Sequence, residues 1–156
     1  MEKIARARYT QGIMTSSEPA TGASKTIMVV DDDESVLSFL CFSLRGEGFT
    51  VLESKDAENA LAQLKNRIPD LILLDIMLPH MDGFTMCKTL RANPRYANVP
   101  ILFITAYADP TSLKKTSDVG AQGLIEKPIM YSELLVQIVD ALTGKFSLPT
   151  RLKFAS

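Results

Sequence analysis

The chain is poor in several things. Its 156 residues include two cysteines, Cys41 and Cys87, far apart and without CxxC spacing. Both fall inside apolar helical patterns, which excludes a disulfide framework and suits reduced core residues. No apolar run approaches the roughly 18 residues of a membrane span, and residues 1–24 lack the core of a signal peptide. Net charge is only −1, with a sequence pI of about 5.8, so the total charge advertises neither nucleic acid nor an anionic membrane. The expectation from these shortages is a cytoplasmic protein with no membrane contact and no direct nucleic acid binding. Histidine occurs once, as His80 in the Pro79–Gly83 loop, and reads as an exposed turn residue.

What is present is ordinary globular material, 46% apolar and 22% charged, in a length that makes one domain with a little left over. Residues 10–25 are rich in Thr, Ser, Gly and Ala with little to bury, so 1–25 reads as a disordered leader. From Thr26 short apolar runs recur at Ile27–Val30, Thr50–Leu52, Leu71–Leu74, Ile101–Ile104 and Gly123–Ile125. Each is too short for a helix and rich in Val, Ile and Leu, as strands are. Between them the apolar period lengthens. Val36, Phe39, Leu40, Ser43 and Leu44 give one helical stripe, Ala60, Leu61 and Leu64 a second, and Phe84, Cys87 and Leu90 a third. Thr111–Val119 opens on Asp109-Pro110, and Leu134, Leu135, Ile138, Val139 and Leu142 give the last stripe.

Strand and helix alternate five times, and near-continuous apolar strands belong to a parallel sheet covered on both faces. The predicted fold is α/β, a doubly wound five-stranded parallel sheet in the flavodoxin-like order 2-1-3-4-5 with helices on both faces. In that order the winding reverses between the first and third strands, and ligands bind beyond the carboxyl ends at the reversal.

Four acids, Asp31-Asp32-Asp33-Glu34, follow the first strand without a break, and Asp75 ends the third. Crowded carboxylates raise one another's pKa unless a cation sits among them. The topology brings Asp31, Asp32 and Asp75 to one crevice, where oxygen ligands suit Mg²⁺. Asp33 and Glu34 suit the positive start of the following helix instead. Thr105 closes ILFIT and Lys127 follows GLIE, adding a hydroxyl and a cation. Together these groups make a site for a phosphoryl group, with Asp75 as a carboxylate nucleophile.

The segments VVDDDE, LILLDIMLPHMDG, ILFITAYA and EKPI, in this order at successive strand ends, resemble the signature segments of the response-regulator receiver domain of two-component signalling. The resemblance covers Thr26 to about Phe146. It implies that Asp75 is the phosphoacceptor and that Asp31, Asp32, Asp75 and the Met77 backbone carbonyl hold the metal. It further implies that Thr105 is the switch hydroxyl with the Ala106 amide beside it, and that Lys127 contacts the phosphate. Its expected partners are a sensor histidine kinase or histidine phosphotransfer protein as donor and a downstream protein target. The only chemistry expected is the protein's own phosphorylation and dephosphorylation, so it is not otherwise an enzyme.

The sequence departs from the family at Leu124, where Tyr or Phe is usual, and at Gln122-Gly123, where an acidic pair is commoner. The expected organisation is a leader over 1–25, the receiver over 26–146 and a tail over 147–156, too short for an output domain. That describes a stand-alone receiver. Two other readings use the same residues. A phosphatase of the haloacid dehalogenase type also has an aspartyl nucleophile, but sets DxDx[T/V] after its first strand; the fifth residue from Asp31 is Ser35, and the length leaves no cap domain. A pseudo-receiver that only docks would not need all the acceptor-site residues, which are present here.

Overall fold

Apolar runs bounded by acids and turns give five strands in the computed structural model, which describes residues 24–145. They are β1 (Thr26–Val30), β2 (Thr50–Ser54), β3 (Leu71–Asp75), β4 (Ile101–Thr105) and β5 (Gly123–Glu126). All pair in parallel in the order β2-β1-β3-β4-β5, as the alternating pattern predicts. Every residue of β3 and β4 is buried, the signature of central strands covered on both sides. The leader expected over 1–25, but for Ser24 and Lys25, and the tail expected over 147–156 lie outside the described residues.

The helices are α1 (Glu34–Gly46), α2 (Ala57–Leu64), α3 (Gly83–Arg91), α4 (Pro110–Asp118) and α5 (Tyr131–Leu142). Four begin at an aspartate. Asp33, Asp56, Asp82 and Asp109 each accept a first-turn amide, satisfying donors that the helix itself cannot pair. Two cores result. Alternate sheet residues pack with Leu37, Leu40, Leu44, Leu134, Leu135 and Ile138 from α1 and α5 on one face, and with side chains of α2, α3 and the end of α4 on the other.

Helix α1 corrects one sequence expectation. It buries Leu37, Leu40, Cys41 and Leu44, whereas Phe39 is 46% exposed and leans edge-on against Tyr131 with centroids 5.9 Å apart. Its sequence is apolar nearly all round, so two stripes a residue apart fit the period. The sheet packs against the more aliphatic one.

Arg91, the last residue of α3, holds the far end of the sheet. Its Nε donates to the Gly120 carbonyl at 2.9 Å, and Nη1 donates to those of Tyr96 at 3.1 Å and Val99 at 2.8 Å. Nη2 donates at 3.1 Å to Gln122 Oε1, which also accepts the Ile101 amide at 2.8 Å. Gln122, out of pattern by resemblance, thus serves as an acceptor that joins the entries of β4 and β5. Arg91→Ala strands several part-buried acceptors and is expected to lower unfolding free energy by about 2–4 kcal/mol in urea titrations. Arg91→Lys should restore only part, since an ammonium lacks the planar fork.

Candidate functional site

Register places the acids. Val30 pairs with Leu74, so the next residues, Asp31 and Asp75, stand side by side at the carboxyl ends of adjacent strands. Asp31 is fully buried and Asp75 is 3% exposed, while Asp32 is exposed at the rim. One carboxylate oxygen from each of the three lies within 4.8 Å of the others.

Lys127 meets this charge from across the sheet. Its Nζ is 3.0 Å from Asp31 Oδ2 and 3.6 Å from Asp75 Oδ2. Asp31 Oδ1 accepts the Asp33 amide at 2.9 Å, whereas the buried Oδ2 has the ion pair with Lys127 but no directed hydrogen bond. Asp75 Oδ1 accepts only a long bond, 3.3 Å, from the Met77 amide. Two buried carboxylates therefore keep lone pairs unused, the condition under which a hard dication fits.

The electrostatics agree with the geometry. Burial, then the neighbouring charge of Asp31, pushes the Asp75 carboxyl up from 3.8 to about 7 against the opposing pull of Lys127. For Lys127 burial disfavours the charge, but the close pairing with Asp31 and the fields of Asp75, Asp31 and Asp33 outweigh it, and its pKa is raised. Such a site resists holding all its negative charge without a further cation.

The remaining predicted residues lie around this centre. Thr105 ends β4 beside Asp75, almost wholly buried, with its hydroxyl donating to the Tyr107 carbonyl at 3.0 Å and accepting the Tyr107 amide at 3.2 Å. That hydroxyl is engaged in a local turn and not by the acids. Ala106 follows, exposed, and the Met77 side chain is 70% exposed while its peptide borders Asp75. Leu124 is buried against the α2–α4 side of the sheet, in the cluster with Phe103.

Asp33 caps α1 and Glu34 pairs with Lys55, so neither belongs to the acidic cluster, as their helix-start position suggested. His80 is exposed, at φ 66°. Sequence reasoning missed Glu126, whose Oε2 accepts the Ala108 amide at 3.2 Å and pins the loop after Thr105. No local pattern marks it, because only strand pairing brings residues 108 and 126 together. Next to Lys127, an open groove of about 220 Å³ is lined by Ser35, Val36, Phe39 and Ile129.

Residues 27–139 match the family model of the response regulator receiver domain. The chain belongs to that family. It is 40% identical over 112 residues to the DNA-binding response regulator MtrA of Mycobacterium tuberculosis, covering 72% of this chain and 48% of MtrA. It is 32% identical over 127 residues to the DNA-binding dual master transcriptional regulator RpaA of Synechocystis, covering 81% of this chain and 53% of RpaA. A crystal structure of a putative response regulator from Chloroflexus aurantiacus superposes with a TM-score of 0.72 at 34% identity, over 78% of this chain and 99% of the other. The protein therefore contains a receiver domain with the CheY-type arrangement of five parallel strands and five helices.

These relatives correct one expectation. Both MtrA and RpaA are named as DNA-binding, so the reading of no direct nucleic acid binding does not stand. It rested on a tail read as too short for an output domain and on a net charge of −1, whereas the matched part of the chain spans only about half of either relative. Among the described residues no helix is long and apolar enough to cross a membrane.

Proposed function

We propose that this receiver is a cytoplasmic phosphorylatable switch that takes a phosphoryl group on Asp75 from a phosphohistidine of a sensor kinase or phosphotransfer protein and signals by binding a downstream partner. The observation that carries this reading is the convergence of Asp31, Asp32 and Asp75 within 4.8 Å, with Lys127 reaching both buried acids. A deprotonated Asp75 oxygen attacks phosphorus. The new O–P bond forms as the N–P bond breaks, and the bonding pair passes to the imidazole nitrogen, which takes a proton as it leaves.

Asp31, Asp32, Asp75 and the Met77 carbonyl would hold Mg²⁺. Bound there, the ion neutralises charge on the phosphoryl oxygens. Lys127 holds another oxygen, while the buried walls around Asp75 keep water from competing. The Thr105 hydroxyl then leaves its turn with Tyr107 for the acyl phosphate, with the Ala106 amide as a second donor. That rearrangement loosens the loop that Glu126 pins and shifts a two-state equilibrium felt by partners. Exposed Phe39, which lines the groove, and exposed Phe42 on the same helix offer apolar surface to a protein partner.

The test uses acetyl phosphate as a small donor. With Mg²⁺ the protein should gain one alkali-labile phosphate by intact mass, and EDTA should prevent it. Continuous release of inorganic phosphate with fast turnover would instead indicate a phosphatase, and no mass gain in either condition would sink the proposal.

A further inference from the structure

The start of α3 rests directly on the backbone of Asp75. Gly83 is buried, and its amide donates to the Ile76 carbonyl at 2.8 Å. That carbonyl also accepts the Leu78 amide at 3.1 Å, so the loop turns back and delivers residue 83 to the end of β3. A methyl group on Gly83 would lie 2.5 Å from the Asp75 carbonyl oxygen, 2.9 Å from Ile76 Cα and 3.2 Å from the Asp75 carbonyl carbon. These are backbone atoms, with no rotamer to turn aside. Ordinary contact begins near 3.4 Å, so any side chain here demands a separation of 3.4 − 2.5 = 0.9 Å at the closest point.

Both sides of that contact are anchored. Helix α3 is anchored by Met86, Cys87 and Leu90 in the core and by the Arg91 fork. Beyond Asp75 the strand is held to β4 by the Ile76 amide on the Ile104 carbonyl at 3.0 Å. Whatever part of the 0.9 Å the strand end takes up moves the Asp75 carboxylate with it.

We propose that Gly83 is a positioning residue for phosphoryl acceptance: the missing side chain lets α3 seat the Asp75 backbone at the height from which its carboxylate reaches the phosphorus. This rests on the reading of Asp75 as acceptor. Misplacing a nucleophile by about 1 Å costs on the order of 10²-fold in rate. Lys127, with Mg²⁺ held by Asp31 and Asp32, would bind the donor's phosphoryl oxygens from positions that residue 83 does not touch, so donor binding should be spared.

The experiment compares the native chain, Gly83→Ala and Asp82→Ala with acetyl phosphate at saturating Mg²⁺, well below the melting temperature of all three. Asp82→Ala removes the cap on the Thr85 amide, a 2.8 Å bond, and loosens α3 without placing an atom against Asp75. The expected result for Gly83→Ala is a fall of about 10- to 100-fold in the rate at saturating donor, with the half-saturating donor concentration within about threefold of native. Asp82→Ala should melt earlier yet keep the native rate. The proposal is overturned if Gly83→Ala reacts as fast as native, if both variants lose rate alike, or if Gly83→Ala fails to fold where Asp82→Ala folds. A native protein that acquires no phosphate would remove the acceptor reading, and this proposal with it.

Discussion

Without metal, the protein is expected to lose stability as the pH rises from about 4 to about 7, and to change little from there to about pH 8, below the range in which the buried Cys41 and Cys87 thiols begin to matter. The cause is Asp75, whose carboxyl sits near 7 in the folded chain against 3.8 when free. Between those values the folded state keeps a proton that the unfolded state has released. Stability falls with pH wherever the native state binds more protons, so the Asp75 contribution gives a negative slope across the window and none beyond it. Three units would amount to roughly 4 kcal/mol, but the acids titrate together with Lys127 nearby, and a loss of roughly 2–4 kcal/mol is expected. Asp75→Asn should flatten the profile and, at pH 8 without metal, melt above the native protein. Mg²⁺ should stabilise the native chain by about 2–3 kcal/mol at a hundred times its Kd, and more at pH 8 than at pH 5, where protons compete for the site. Urea titrations across pH, with Mg²⁺ and with EDTA, measure both. A metal-free profile that rises from pH 5 to 7 would contradict the charge balance described.

The second large effect is expected at Lys127. Its Nζ pairs with two buried carboxylates, at 3.0 and 3.6 Å. Removing one partner of a buried pair typically costs 3–5 kcal/mol, because the other charge stays buried and unpaired. Here the loss should be near the lower end, about 3 kcal/mol at pH 8 without metal, since Asp75 can relieve the site by keeping a proton. Lys127→Ala in EDTA should therefore melt well below native, and Mg²⁺ should recover more stability in the variant than in the native chain. Phosphate uptake should survive, since Asp75 makes the bond. What should disappear is the response to it. Amide exchange in the loop after Thr105 should change on phosphorylation of the native chain and stay unchanged in Lys127→Ala. If the variant unfolds at the native urea midpoint, Lys127 does not offset the acids.

The site was legible because its residues terminate elements that announce themselves. LILL and ILFI are apolar at every position, as central strands are, and Asp75 and Thr105 follow them where those strands end. The order 2-1-3-4-5 then sets Asp31 beside Asp75. What escaped the sequence depends on distances between segments. The Arg91 fork joins residues up to 31 positions apart, Glu126 reaches back to Ala108, and the contact of Gly83 with Asp75 exists only once a loop has closed. None leaves a periodic trace. Helix α1 misled for the opposite reason: VLSFLCFSL offers too many apolar positions to say which face turns inward. The engagement of the Thr105 hydroxyl by Tyr107 depends on a rotamer and a turn, which residue type alone does not fix.

The claim that Asp75 is the phosphoacceptor is tested most directly by locating the phosphate. The native protein and Asp75→Asn are treated with acetyl phosphate and Mg²⁺, the acyl phosphate is trapped by borohydride reduction, and the peptide spanning Leu71–Arg91 is sequenced by tandem mass spectrometry. The expected result is a reduced aspartyl residue at position 75 of the native chain and no modification anywhere in Asp75→Asn. Phosphate on Asp31 or Asp32 in the native protein, or undiminished uptake by Asp75→Asn, would contradict it.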